Sequence, residues 1–328
     1  MAGHPDLPKK VPALLLSKKE IFDSLKVIDS DAKARDRILA METEFRTKIG
    51  THIKGLPQAS SNFAKFYTSP FVLMFYSRQK SYSRVEQIEK DLVPAKVFSS
   101  METSAGNMVE KVVLPVYGWE VVHSAMHSHE SLLDGRKIDQ QGSKFVGATL
   151  KSGPRTLNDD MAKNIGNEVV ERASSWAVNH GVKEVDFTYG VLYGTKKQSN
   201  KKDWHILRNI DEGRPRQSSL VTSHKGAWSV AYSDGPLSVS ATVRVGIEWW
   251  KYLGGKDTWI ELCCALIRSC ITPASGPQPT PNYTISDLPD ILDMSMIDSS
   301  YNVSILQNSQ LEWLLFLARH FSDGFKDN

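Results

Sequence analysis

Cysteine is scarce, with three in 328 residues. Cys263 and Cys264 are neighbours and Cys270 follows on the same apolar stretch. No disulfide framework can form from them, the spacing of a zinc ribbon is missing, and buried thiols are expected. Long apolar runs are missing too. No segment approaches the ~18 consecutive apolar residues that span a bilayer, and the first twenty residues hold only the short piece Val11–Leu16, interrupted by Pro12. A cytoplasmic protein with no membrane association is the expectation. Neither GxGxxG nor GxxxxGK(S/T) occurs, which disfavours a Rossmann oxidoreductase or a nucleotide-driven motor, and Ser131 and Ser152 lack the context of a nucleophile elbow. A strong excess of one charge is also lacking. There are 40 Lys and Arg against 37 Asp and Glu, a net +3, which permits nucleic-acid binding without demanding it.

What is present suits an ordinary folded protein, since 41% hydrophobic residues can fill a sizeable core. Ser17 reads as an N-cap with Glu20 three residues on, opening a helical stretch to Ile53 with apolar residues at helical spacing. Phe63–Leu92 reads as further helix, and Pro94 with the polar Ser99–Gly106 as a junction. Asn107–Val116 then reads as an amphipathic helix with Glu110 near its start and Pro115 at its end. Strand signals recur at Phe145–Lys151, Val185–Tyr193 and Ser238–Val245. A long helix from Leu157 to about Asn179 separates the first two, with acids in its first turn and a stop at His180-Gly181. Strand, crossover helix and strand predict a βαβ unit and hence parallel strands in a mixed sheet. The expected class is α/β (α+β), a mixed sheet flanked by helices. Residues 1–100 form its helical N-terminal region, 101–271 its core, and 272–328 a Pro-rich loop and a C-terminal helix packing on that core.

The chemistry centres on FVGATLKSGPRTLN, residues 145–158, in which an alternating strand delivers Lys151 to a Ser-Gly-Pro break. Asp134 precedes a bend, and a hairpin centred on Gln141-Gly142 sets it opposite Thr149; Asp139 is the reserve for that role. A hard cation such as Mg2+ takes oxygen ligands. Asp134 and a main-chain carbonyl of the strand can supply them, with Glu110 reaching the same ion. Lys151 beside it would orient or deprotonate a water and offset charge on a phosphorane-like transition state. Cations that suit phosphate contacts are Arg78, Lys80 and Arg84 in YSRQKSYSR, Lys196, Lys197, Lys201 and Lys202 in GTKKQSNKK, and Arg214 and Arg216 in a loop. Arg155 and Asn158 follow the lysine-bearing turn. Trp249-Trp250 reads as core or cleft wall, with base stacking the sharper alternative. A rival site is His123, His127, His129 and Glu130, a zinc-hydrolase set whose spacing matches no common zinc pattern.

The segment LLDGRKIDQQGSKFVGATLKSGPRTLNDDM resembles the PD-(D/E)XK nuclease superfamily, and type II restriction endonucleases in particular. In these an Asp, an acidic-x-Lys and often a Ser-Gly-Pro-x-Thr-x-Asn follow in this order. SAGNMVEKVVLPVYGW looks like that family's helix bearing an auxiliary glutamate, and VRVGIEWWKYLGG like its late Gly-x-x-Trp segment; together they span roughly Ser104 to Ile271. The resemblance implies a restriction-endonuclease-like fold with 101–271 as catalytic core. It implies Mg2+-dependent, sequence-specific hydrolysis of double-stranded DNA by a homodimer, with Lys151, Asp134 and Glu110 as the catalytic set. The sequence departs at Thr149, where the family has its second carboxylate. Some members relocate that group to the helix after the lysine, which makes Asp160 or Glu168 the candidate third metal ligand. Thr149 also keeps open a non-catalytic DNA-binding or structural protein on the same fold.

Overall fold

Ser17 opens the helical part of the chain, its hydroxyl accepting from the Glu20 N–H at 3.3 Å. The computed structural model describes residues 6–8, 11–58, 61–66, 69–123, 132–139, 141–199, 201–273, 281–298 and 300–326. After the two-residue strand β1 (Leu15–Leu16) come α1 (Lys18–Ser30) and α2 (Ala32–Gly55). The helical stretch read from Ser17 to Ile53 is two helices joined at Asp31, whose extended backbone ends α1 while its carboxylate caps α2 by accepting from Lys33 N–H. A 3-10 turn at Phe63–Phe66 leads to α3 (Pro70–Gln79) and then to α4 (Glu86–Val116). The junction expected at Pro94 to Gly106 is instead continuous helix. Proline removes one intrahelical bond, and the flanking Glu89, Lys90, Leu92, Ala95 and Lys96 are strong enough helix formers to carry the chain through.

The remaining elements are β2 (Glu120–Val121), β3 (Gly135–Ile138), β4 (Lys144–Lys151), α5 (Asp159–His180), β5 (Glu184–Val191), α6 (Lys201–Gly213), β6 (Ser219–Thr222), β7 (Ser229–Asp234), β8 (Leu237–Val245), α7 (Ile247–Gly254), α8 (Thr258–Cys270), α9 (Leu288–Leu292), α10 (Asn308–His320) and β9 (Gly324–Phe325). Among the described residues the main sheet has seven strands in the order β2-β3-β4-β5-β8-β7-β6. Its centre, β4-β5-β8, is parallel and its flanks are antiparallel. The expected βαβ unit is therefore present, with α5 as the crossover. A second, parallel pair joins β1 to β9.

Alternation along β4 feeds two cores. Phe145 packs with Val169 and Trp176 of α5 and with Leu207 of α6 on one face. Val146, Ala148 and Leu150 pack on the other with α1, α2, the end of α4, α7, α8 and α10. Trp249 and Trp250 are fully buried in this second core, with the Trp250 indole N–H donating to Leu192 O, so they are not available for stacking on a base. Cys263 and Cys264 are buried there as free thiols, as expected, whereas Cys270 is exposed. Among the described residues no helix is long and apolar enough to cross a membrane.

One carboxylate ties three of these helices. Glu261 on α8 is 4% exposed and accepts two hydrogen bonds from Arg37 of α2, at 2.7 and 2.6 Å, and a third from the Tyr117 hydroxyl, at 2.6 Å, at the C-terminal end of α4. Glu261→Ala leaves the guanidinium and the phenol without their acceptor. The expected loss is about 2–3 kcal/mol, below that of a fully buried pair because Arg37 keeps contact with solvent. Urea unfolding of the variant and of the parent measures it.

Candidate active site

The site grows from the register of one hairpin. Gly135 pairs with Ala148 and Ile138 with Phe145, so the next step along β3 sets Asp134 across from Thr149, as the turn chemistry predicted. Asp139 belongs to the other end. Its carboxylate accepts from Ser143 N–H at 2.7 Å and Lys144 N–H at 2.9 Å, closing the bend. At the open end Asp134 N–H donates to Ala148 O at 2.8 Å, and Leu150 N–H donates to the Asp134 carboxylate at 2.6 Å. The carboxylate is thus aimed before anything binds it.

Lys151 is the last residue of β4, and Ser152–Pro154 turn the chain away from the sheet. Glu110 arrives from α4. Gly106, one helical turn earlier on the same face, is what lets α4 come this close. A Cβ built on it would lie 2.9 Å from Ser152 Cβ, inside contact distance. Glu110, Asp134 and Lys151 then line one cavity of about 460 Å3, together with Asn107 and His123.

The electrostatics are unbalanced. Burial first, and the Asp134 charge second, push the Glu110 carboxyl up to about 8 against the opposing pull of Lys151 and Lys111. Asp134 is raised as well, by burial, against Leu150 N–H and Lys151. Two desolvated carboxylates beside one ammonium make a hard-oxygen donor set short of positive charge. Such a set fits a divalent cation of the Mg2+ kind, which needs only one or two protein carboxylates when water and phosphate complete its shell. Among the described residues no group of three or more His, Cys, Asp or Glu is placed to hold a metal, so the third side-chain ligand is missing. Thr149 does not serve, being 4% exposed with its hydroxyl donating to Leu132 O at 2.6 Å. Asp160 is exposed on the first turn of α5, and Glu168 pairs with Arg172 at 3.2 Å. Neither lines the cavity.

The other predicted residues are scattered. Asn158 is the N-cap of α5, its side chain accepting from Met161 N–H. Arg155 stands just past the turn with φ at +67° and its Nε donating to Gln198 O. Lys196 is pinned, paired with Glu248 at 2.7 Å and resting over Trp228. Lys202 pairs with Asp159, and Arg214 with Asp211. Lys197 and Arg216 are exposed and carry no ion pair among the described residues, while the Lys201 side chain falls outside them. Arg78, Lys80 and Arg84 sit at the bend between α3 and α4, roughly 36 Å along α4 from Glu110 at 1.5 Å per residue. Of the zinc set, His123 is exposed at the cavity rim; His127, His129 and Glu130 lie outside the described residues. Gly106 and the Leu150 N–H are the parts that sequence reasoning missed. Only the four-residue interval from Gly106 to Glu110 could have signalled the first.

Residues 73–210 match the family described as Type II restriction endonuclease EcoO109I. That span contains Glu110, Asp134 and Lys151 and the whole of β3, β4, α5 and β5. No curated protein matches the chain.

A raised carboxyl stabilises the fold while protonated. The contribution is complete below the ordinary carboxylate pKa and is lost as pH rises through about 8. In chelator the melting temperature of the protein is expected to fall between about pH 5 and pH 9, and Glu110→Gln to flatten that fall. Added Mg2+ should raise the melting point of the parent and not that of Asp134→Asn. Thermal scans across pH, with and without the ion, check both.

Proposed function

We propose that the chain, which matches the type II restriction endonuclease family over residues 73–210, is an endodeoxyribonuclease that hydrolyses double-stranded DNA at a short specific sequence, with Mg2+ as cofactor and the cavity of Glu110, Asp134 and Lys151 as its active site. The observation that carries this reading is the convergence of those three side chains from α4, β3 and β4. Asp134 and Glu110 would hold the ion, with water and a phosphate oxygen in the positions that a third carboxylate would otherwise take. The ion supplies Lewis acidity and a water that deprotonates near neutral pH.

The chain's own contributions follow from placement. Leu150 N–H fixes the Asp134 carboxylate, so binding needs no reorganisation of that ligand. Lys151 would place its ammonium beside the scissile phosphate, where it orients the attacking water and offsets the charge that builds on the phosphorane oxygens. Arg155, Lys197 and Arg216 are the cations that we assign to DNA. They are exposed, whereas Lys196 and Arg214 spend their charge inside the protein. One such cavity cuts one strand, so we take the working unit to be a homodimer whose two-fold matches a palindromic site.

Incubation with plasmid DNA with and without Mg2+ tests the reading, discrete fragments with the ion being the expected result. Lys151→Ala should lower cleavage by about 10^3-fold or more while gel-shift binding to a cleavable duplex is retained. Full activity in that variant would remove Lys151 from the mechanism. Gly106→Ala, which changes no charged group, pushes α4 off Ser152 and should cost on the order of 10–100-fold in single-turnover rate. Its melting point should change little, since alanine's better helix propensity, about 0.5–1 kcal/mol, offsets part of the cost of that displacement.

A further inference from the structure

The helix α3 begins PFVLMF, yet it buries no side chain. Phe71 is 72% exposed, Val72 56%, Met74 67% and Phe75 74%; Val85, just before α4, is 88% exposed and Phe98 within it 73%. Between α3 and α4 lies a cavity of about 310 Å3 walled by Phe66, Leu73, Ile88 and Leu92. An isolated helix of this length is marginal in water, and amphipathic packing is what normally sustains it. Among the described residues no element covers Phe71, Met74 or Phe75.

The size of the uncovered surface says what kind of partner fits. At about 150–250 Å2 per aromatic side chain, the three phenylalanines alone expose roughly 300–550 Å2. Adding Val72, Met74 and Val85 brings the summed exposed apolar area of α3, the bend after it and α4 toward the ~800 Å2 per partner of a standard stable interface. Its rim carries both signs. Arg78 and Lys80 stand at the C-terminal end of α3 and Glu86 and Glu89 in the first turn of α4, with Arg84 paired to Glu86 at 3.0 Å. A nucleic acid or an anionic membrane would call for one sign. A surface with a basic end and an acidic start complements itself under a two-fold rotation, the geometry of an isologous dimer.

We infer that α3 and the N-terminal turns of α4 form the surface on which a second copy of this chain docks, its apolar face closing over Phe71, Phe75 and Phe98. The inference rests on the homodimer reading above and gives that dimer its interface. Arg78, Lys80 and Arg84 then serve the rim of the interface rather than the DNA. Because Glu110 stands on the same helix, the second copy also braces the element that carries this carboxylate.

Sedimentation or light scattering of the full chain without DNA, at about 10 μM, reads the surface directly. The expected result is twice the mass of one chain for the parent and a single-chain mass for the double variant Phe71→Glu, Phe75→Glu, with an unchanged circular dichroism spectrum. Phe98→Glu, on α4, is the second probe and should weaken self-association at least tenfold, so it decides the matter should the double variant misfold. A parent of single-chain mass overturns the inference, and so does a folded variant that keeps the double mass. Cleavage is scored separately. A dimer that cuts nothing with Mg2+ sinks the nuclease reading and leaves the surface standing, whereas an active monomer sinks the surface and the homodimer while leaving the nuclease reading standing. If both hold, the folded double variant turns supercoiled plasmid into nicked circles where the parent yields linear fragments.

Discussion

The hydrogen bond from Leu150 N–H to the Asp134 carboxylate is the point on which the site depends. It exists because β3 and β4 pair in one register, which the bend at Asp139 to Ser143 sets from the far end. A slip of one residue would turn Asp134 to the opposite face and exchange the two hydrophobic faces of β4, placing Phe145 where Val146 packs. Core packing and site geometry are therefore guarded by the same constraint. The large, well-filled cores on both faces of the sheet make the register expensive to change. The exposed end of the hairpin inherits that rigidity.

Much of the fold could be read from periodicity. Phe145–Lys151, the crossover helix and the strand after it announced themselves through alternation, an acidic first turn and a glycine stop, and the observed β4, α5 and β5 fall within a residue or two of them. The outer strands were not legible. All four residues of β6 are exposed and show no alternation, and β7 alternates only two apolar residues, the buried Val230 and Tyr232, with small or polar ones, so that its pairing with β8 is decided by tertiary contact. The unbroken course of α4 was hidden by Pro94 and a polar stretch, both ordinary signs of a boundary. What overrode them was local helix propensity on either side together with the anchoring of its far end through Tyr117 and Glu261.

The placement of Lys151 and Asp134 was legible because strand and turn rules fix which residues meet. Rotation of a helix about its axis is not fixed by such rules. Asp160 and Glu168 lie on α5 at positions that sequence leaves open, but the helix turns Ala162, Ile165 and Val169 to the core, which points Asp160 to solvent and leaves Glu168 to Arg172. The pairing of the basic clusters was not legible for a related reason. Counting cations in a segment says nothing of the acids that approach from elsewhere, as Glu248 does to Lys196 and Asp159 to Lys202. Net charge is a poor guide where so many charges are neutralised across distant parts of the chain.

The length of α4 has a mechanical side. With 31 residues it extends for about 46 Å, and it is clamped at one end, where Tyr117 meets Glu261. Glu110 lies only about 10 Å from that clamp by the same rise per residue. A stiff rod pivoting there behaves as a reduction gear. A displacement of roughly 4 Å at the N-terminal end arrives at the carboxylate as about 1 Å, the scale on which catalytic alignment is gained or lost. Contacts made at the distant end would thus reach the Glu110 carboxylate attenuated but in proportion, with a leverage ratio set by where along the helix the glutamate stands.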